Sequence, residues 1–177
     1  QLALKFRGAI NREARGMFHM DYKVGGATKK MIATTMEPTD ARRMLPTWDE
    51  PAFRASYRLT VDVPASFKAY SNTPVEKQEA LAGGMQRIRF GATPKMPSYL
   101  VVLVAGELER ISARHEGVDI GVVTTEGKAA SGAFALESTK RLLGYFNNYF
   151  GQPYPLAKLD QIAIPGGFNG AMENWGG

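Results

Sequence analysis

One carboxylate near the end of the chain lies among residues that favour ligand binding over packing. Glu173 belongs to the run "GGFNGAMENWGG", residues 166–177, together with two amide side chains and an indole. Glycines leave backbone N–H and C=O groups open to a ligand, because no side chain stands in front of them. A carboxylate inside such a run predicts a site for a positively charged partner that lies along the backbone.

A second group of charges lies in "TTMEPTDARRMLPTWDEPAFRA", residues 34–55. A purely structural interpretation accounts for most of them. Asp40 would cap a short helical turn, and Asp49 and Glu50 would pair with Arg42 or Arg54. The residue types alone assign no chemistry to this stretch.

The residue types give little support for a metal-binding site or a catalytic nucleophile. The chain has no Cys, and its two histidines, His19 and His115, are far apart in sequence. The string "HEGVD", residues 115–119, begins like the zinc motif H-E-x-x-H but ends in Asp119, and its alternating flanks predict a hairpin. The sequence therefore predicts no metal site within residues 1–177, and it contains no phosphate-binding loop, nucleophile elbow or dinucleotide fingerprint.

The elements that must position Glu173 are mostly strands. Alternating apolar residues bounded by Gly and Pro predict strands at residues 56–63, 85–90, 98–106 and 118–125. The alternation of Leu2, Leu4 and Phe6 predicts a half-buried strand at the start as well. Such spacing favours a mainly β fold of antiparallel sheets packed as a sandwich or saddle.

The pattern changes after Gly127, where one long helix is predicted. Ser131 is the expected N-cap, and Gly151 followed by Pro153 ends the helix. Its apolar residues recur at helical spacing: Phe134, Ala135, Leu142, Phe146 and Tyr149. A short strand around residues 159–164 follows, and we place a domain boundary near residue 130.

Composition limits the classes of protein. The chain has 177 residues, 44% of them apolar, with a net charge of +5 from scattered basic residues, which predicts an ordered domain with a solvated surface and no nucleic-acid patch. No apolar run has the length of a membrane span, and the start has no signal-peptide pattern. A chain that begins in mid-strand and ends in a glycine loop is expected to be a fragment.

Two motifs identify a family. "GAMEN", residues 170–174, followed by Trp175, and the upstream "PTDARRMLPTWDEPAFRA", residues 38–55, resemble the zinc aminopeptidases of the alanyl and membrane-alanyl type. The resemblance covers almost the whole chain, including "YSNTP" at residues 70–74. It implies a β-rich N-terminal domain, residues 1–130, and the first helix, strand and glycine loop of an α/β thermolysin-like catalytic domain, residues 131–177.

The resemblance also implies roles for individual residues. Glu173 would bind the free α-ammonium of a peptide in a buried setting, and Glu37 would be its second anchor. The backbone of Gly170 and Ala171 would hold the scissile peptide. Met172 would border the pocket for the first side chain, and Asn174 belongs to the same substrate-binding set. The family pattern has Gln at the position of Thr35, which leaves one contact to the motif in question.

In this family the zinc ligands lie on an H-E-x-x-H helix beyond the GAMEN motif. Residues 1–177 contain GAMEN but not H-E-x-x-H. The resemblance thus implies zinc as cofactor of a longer parent protein, peptides with a free N-terminus as substrates, and a chain that is inactive alone. The helix without its neighbours would also favour self-association. The alternative hypothesis is a non-catalytic β-rich interaction module derived from an aminopeptidase.

Overall fold

The computed structural model describes residues 2–166 and 170–177. Within these residues the chain forms strands and one long helix, so the mainly β prediction is confirmed. The strands are β1 (Gly16–Val24), β2 (Ala27–Thr35), β3 (Arg54–Ala55), β4 (Thr60–Pro64), β5 (Lys68–Ser71), β6 (Val75–Leu81), β7 (Met85–Phe90), β8 (Met96–Pro97), β9 (Leu103–Gly106), β10 (Leu108–His115), β11 (Val118–Thr125) and β12 (Lys158–Ile162), and the helix is α1 (Ala133–Phe150).

The first sheet has the strand order β1-β2-β9-β5 and is antiparallel throughout. Its hairpin turns at Gly25 and Gly26, which both have positive φ as a two-residue turn of this kind requires. Phe18, Met31 and Val104 are buried on one face of the sheet. This sheet forms one layer of the β-rich part of the chain, and its residues contribute to the buried core.

A second antiparallel sheet, in the order β4-β7-β6, packs against the first. One buried cluster joins them, with Val63, Ile88 and Phe90 from the second sheet and Leu103 and Ala105 from β9. Strands β3 and β8 form a separate two-stranded ladder. The packing of apolar faces from two sheets is the sandwich arrangement that the alternating pattern predicts.

The third sheet, β10-β11-β12, carries the helix. Strands β10 and β11 are antiparallel, whereas β12 joins β11 in parallel after the crossover through α1. Ile120 and Val122 of β11 pack against Leu136 and Leu143 of α1. This sheet therefore has strands on both sides of residue 130, and the domain boundary at that position stays a prediction.

Helix α1 begins one residue later than predicted. Its N-cap is Gly132, with no side-chain cap hydrogen bond, so the assignment of Ser131 as N-cap is wrong. A short 3-10 turn precedes the helix, and a Cβ on Gly132 would lie 2.8 Å from Cγ1 of Val122. Close packing on β11 thus decides where α1 starts. The predicted end is confirmed, since Gly151 adopts the left-handed conformation with φ of 63°.

The strand predicted at the start of the chain is absent from the described residues. Residues 2–10 have no regular structure, and Leu2, Leu4 and Phe6 are exposed. Only Asn11 bridges to Phe18 of β1. Alternation defines two faces, but a strand also needs a hydrogen-bonded neighbour along its length, and β1 provides one only at Asn11.

The strand predicted at residues 98–106 is shorter than expected. A 3-10 turn takes up residues 98–100, and β9 begins at Leu103. The strand predicted at residues 56–63 is likewise reduced to β4. In the described part of the chain, no helix is both long and apolar enough to cross a membrane.

Candidate functional site

A cleft of about 680 Å³ lies where the first and third sheets meet. One wall is the end of β2, with Thr34 and Thr35, together with Val102 and Val104. The other wall contains most of β12 and the residues that follow it. Residues 170–177, called the GAMEN segment below, line the cleft along their whole length.

Five of the six predicted site residues share this cleft: Gly170, Ala171, Met172, Glu173 and Asn174. Glu173 is exposed in this chain, not buried as expected. Among the described residues, an added Cβ on Gly170 would meet no atom within 4 Å, so the backbone there is open to a ligand. Residues 167–169 of the same glycine-rich run lie outside the described residues.

The sixth predicted residue, Glu37, is not brought into the wall of this cleft among the described residues. It is exposed and follows the end of β2 by two residues. The preceding Met36 is fully buried against Met96 and Leu100, which anchors the chain immediately before Glu37. The neighbour that does line the cleft is Thr35, the position where the family pattern has Gln.

The GAMEN segment is fastened to the first sheet by Asn72, which follows β5. The buried Asn72 amide donates to the carbonyl oxygen of Trp175 at 2.9 Å and to that of Leu100 at 2.8 Å. Its Oδ1 accepts the N–H of Val102 at 3.0 Å. A side chain thereby takes the place of a strand neighbour for residues 100–102, which explains why β9 starts only at Leu103.

Asn174 adds a second link between the segment and the same stretch. Its amide donates to the carbonyl oxygen of Leu100 at 3.1 Å and to that of Tyr99 at 3.4 Å. The side-chain nitrogen of Asn174 is therefore engaged by the protein. This geometry favours a role in holding the segment over direct contact with a ligand.

A buried ionic network fastens the segment to β12. Lys158 donates to Oδ2 of Asp160 at 2.9 Å and also to the carbonyl oxygen of Gly176. Burial lowers the pKa of Lys158, and the carboxylate of Asp160 opposes that shift. The backbone N–H of Asp160 donates to the same Gly176 oxygen at 3.3 Å, so two groups of β12 hold one carbonyl.

Arg110 completes the network from β10. Its Nε donates to Oδ1 of Asp160 at 2.9 Å, and its Nη2 lies at ion-pair distance from Asp160 and Asp119 without hydrogen-bond alignment. Gly121 lies between them on β11, and a Cβ there would come within 2.2 Å of both Arg110 and Asp160. The missing side chain of Gly121 leaves the space for this pair.

The described residues do not fit a metal ion. They contain no group of three or more His, Cys, Asp or Glu side chains placed to bind one. His19 lies beside Asp21, and His115 lies in the β10–β11 hairpin, which confirms the hairpin interpretation of "HEGVD". The cleft residues of this chain thus offer carboxylate and backbone groups for binding a ligand.

Comparison with known proteins decides the family. The model of the peptidase M1 N-terminal domain matches residues 1–100, and that of the peptidase family M1 domain matches residues 134–177. This chain belongs to peptidase family M1. Members of this family are zinc enzymes.

Relatives of this family M1 chain are named as aminopeptidases. Aminopeptidase N of Acetobacter pasteurianus is 41% identical over 177 residues, which is 99% of this chain and 50% of the relative. Aminopeptidase M1-C of Oryza sativa subsp. japonica is 43% identical over 176 residues, 99% of this chain and 20% of the relative. Puromycin-sensitive aminopeptidase of Caenorhabditis elegans is 40% identical over 179 residues, 99% of this chain and 19% of the relative.

The M1 chain therefore spans from about a fifth to half of the length of these relatives. Sequence reasoning missed the residues that hold its GAMEN segment, namely Asn72, Lys158 and Asp160. Asn72 lies in "YSNTP", a stretch that resembles the family, but nothing in a short string shows that its amide reaches a carbonyl 103 residues away. The available signal was the spacing of Lys158 and Asp160, which puts two charges on the same face of a predicted strand.

Proposed function

We propose that this chain is the substrate-recognition part of a zinc-dependent aminopeptidase, and that it binds the free N-terminus of a peptide. The observation that carries the proposal is the position of Glu173, an exposed carboxylate on a segment that lines a cleft and is held at Trp175 and Gly176 by hydrogen bonds from two different sheets. A carboxylate at a constrained position suits an ammonium group, which makes charge-assisted hydrogen bonds to it.

In this proposal the substrate lies along the GAMEN segment. Glu173 binds the α-ammonium, the backbone of Gly170 and Ala171 holds the first peptide bond, and Met172 borders the pocket for the first side chain. The open space at Gly170 and the partial burial of Met172 support these assignments. Asn174 contributes by holding the segment, because its amide is bonded to the carbonyl oxygens of residues 99 and 100.

The same carboxylate gives selectivity for chain ends. A peptide that covers Glu173 without offering a cation leaves a desolvated charge without a partner, and such a charge costs several kcal/mol. Internal peptide bonds are rejected for this reason, and the ammonium determines how far the substrate enters. Glu37 is proposed as a weaker second anchor, since it follows the cleft wall at Thr35 but does not line the cleft itself.

Zinc chemistry is assigned to the longer family M1 protein. The metal would supply hydrolysis there, and the described residues of this chain offer no ligand set for it. The residues of this chain bind and orient the substrate. The proposal is tested in the longer protein by comparing the unsubstituted form with Glu173→Gln. Rates of hydrolysis would be measured for free-amine and for N-acetylated aminoacyl substrates.

A further inference from the structure

We infer that Asn72 and Lys158 are positioning residues, which hold the GAMEN segment from two different sheets and so determine where Glu173 lies. The inference rests on the proposed function for its consequence in substrate binding. The tethering itself rests on hydrogen bonds to the carbonyl groups of Trp175 and Gly176, two and three residues after Glu173.

Asn72 has no spare donor. Both amide N–H groups are used, one for Leu100 and one for Trp175, and Oδ1 accepts from Val102. The side chain is only 4% exposed, so a lost partner would not be replaced by bulk water. The position of the Trp175 carbonyl is therefore coupled to the first sheet through a single residue.

Lys158 performs the corresponding role from the third sheet. Its ammonium is buried and bonded to Asp160 and to the carbonyl of Gly176. Asp160 is held in turn by Arg110. A buried cation with these two partners makes strong, directional hydrogen bonds, because the low dielectric strengthens them.

The two tethers act on adjacent peptide groups. Consecutive Cα atoms are about 3.8 Å apart, so Glu173 lies within about 8 Å of the first tethered residue, Trp175. Loosening either tether would let the carboxylate move relative to the backbone groups of Gly170 and Ala171. The expected result is a loss of discrimination between free and blocked amines, beyond any loss of stability.

Trp175 provides a direct probe of the tethers. The chain has two tryptophans, so Trp48→Phe, at a residue that is 78% exposed, leaves Trp175 as the only indole. In that background we would measure acrylamide quenching of fluorescence for Asn72→Asp and Lys158→Met. Asn72→Asp keeps the acceptor for Val102 but removes both donors, and Lys158→Met keeps the length of the side chain without its charge.

Ser71→Ala is the matched control. Ser71 is buried beside Asn72 and donates to the carbonyl oxygen of Val102 at 2.7 Å, so it joins the same strands without contacting the GAMEN segment through its side chain. We expect the quenching constant of Trp175 to rise about twofold in the two tether variants and to stay unchanged in Ser71→Ala. Unchanged quenching in folded tether variants would overturn the inference. If Asn72→Asp does not fold, Asn72→Ser removes the same donor to Trp175.

A binding measurement separates this inference from the proposed function. Trialanine and N-acetyl-trialanine would be titrated into the Trp48→Phe chain and its variants. In the tether variants, the ratio of affinity for the free amine to affinity for the acetylated peptide should fall about tenfold. If quenching rises but Glu173→Gln leaves that preference intact, the proposed function fails and the tethering stands. If Glu173→Gln removes the preference while the tether variants behave like Ser71→Ala, the positioning role fails and the proposed function stands.

Discussion

Gly176 lies so close to Asn72 that a Cβ added to the glycine would be 2.2 Å from the carbonyl oxygen of Asn72. Gly176 also has a φ of 77°, a conformation that other L-residues rarely adopt. Two separate requirements, backbone conformation and space, therefore meet at one residue of the GAMEN segment.

The first prediction separates these two requirements by comparing alanine at Gly176 and at Gly83. Gly83 has a similar φ of 72°, but an added Cβ there would meet nothing within 4 Å. Gly83→Ala should lower the free energy of unfolding by about 1 to 2 kcal/mol, the conformational cost alone. Gly176→Ala should cost more and should increase the exposure of Trp175 beyond its present 39%. Equal losses in urea denaturation would contradict the close contact with Asn72.

The second prediction concerns Glu173 in the longer protein. Glu173→Gln keeps the shape of the side chain and removes its charge, so kcat/KM for free-amine substrates should fall. The fall should correspond to a loss of about 2 to 4 kcal/mol of transition-state stabilisation. Glu37→Gln should cost less, because Glu37 does not line the cleft and is proposed only as a weaker second anchor. Glu137→Gln, on the exposed side of α1, is the control and should leave kcat/KM for free-amine substrates unchanged.

The outcome for zinc distinguishes binding of the substrate from binding of the metal. Zinc content should be the same in the parent and in Glu173→Gln, since Glu173 is assigned to the ammonium. Parental rates on free-amine substrates, or loss of zinc, would show that Glu173 has another role. Acetylation of the substrate amine should abolish turnover by the unsubstituted protein.

The third prediction is that residues 1–177 alone bind zinc no better than a surface histidine does. The reason is the wide separation of His19 and His115 and the lack of a suitable side-chain cluster in the described part of the chain. Metal analysis after dialysis against a weak chelator measures this. Zinc retained at one ion per chain would reveal a site that the described residues do not contain.

The fourth prediction concerns acid stability and Asp49. Burial raises the pKa of this carboxyl, but hydrogen bonds from the Arg42 N–H, the Ser98 hydroxyl and the Arg42 guanidinium outweigh burial and hold the pKa below its usual range. The unfolded chain therefore takes up a proton first as the pH falls. The contribution of Asp49 is complete above about pH 4 and is lost as the pH falls through the native pKa.

Asp49→Asn should thus lower the free energy of unfolding by about 2 kcal/mol at neutral pH, and the difference from the parent should shrink below about pH 4. Asp62→Asn is the control, because Asp62 pairs with Arg87 at the surface and should contribute less. Urea denaturation at a series of pH values measures both. A difference that stayed constant down to pH 2 would contradict the assignment.

The fifth prediction concerns the outer face of α1, where Phe134, Leu142, Phe146 and Tyr149 are all exposed. Neighbouring rings of the helix contact one another, as in the stacking of Tyr145 on Tyr149 with ring centroids 5.9 Å apart. An apolar helix face of this kind favours association. The chain should self-associate as concentration rises in sedimentation velocity, or the amides of α1 should exchange faster than those of β1 and β2.

Phe146→Ser should weaken that association, whereas Phe53→Ser, which replaces an exposed aromatic residue in a loop, should not. A monomer with equal amide protection in α1 and in the first sheet would rule out both forms of the prediction.

The local sequence pattern was sufficient to predict much of the fold. Alternation predicted β7 and β11 with their observed bounds, and the left-handed Gly151 ends α1 as its position after the helical pattern indicated. The residue types of the GAMEN segment also pointed to Glu173. These features depend on neighbours in sequence, through periods of two or 3.6 residues and through the conformational freedom of glycine, so a linear sequence contains them.

The tertiary structure alone decided which residues hold the site. Asn72 reaches Trp175 across 103 positions, Gly121 leaves space for an ion pair between two other strands, and Gly132 replaces Ser131 as N-cap because the helix start packs against Val122. Leu2, Leu4 and Phe6 alternate, but the described residues place no strand beside them. A hydrogen bond or a close contact between distant residues has no period, because it depends on where two separate elements meet in space.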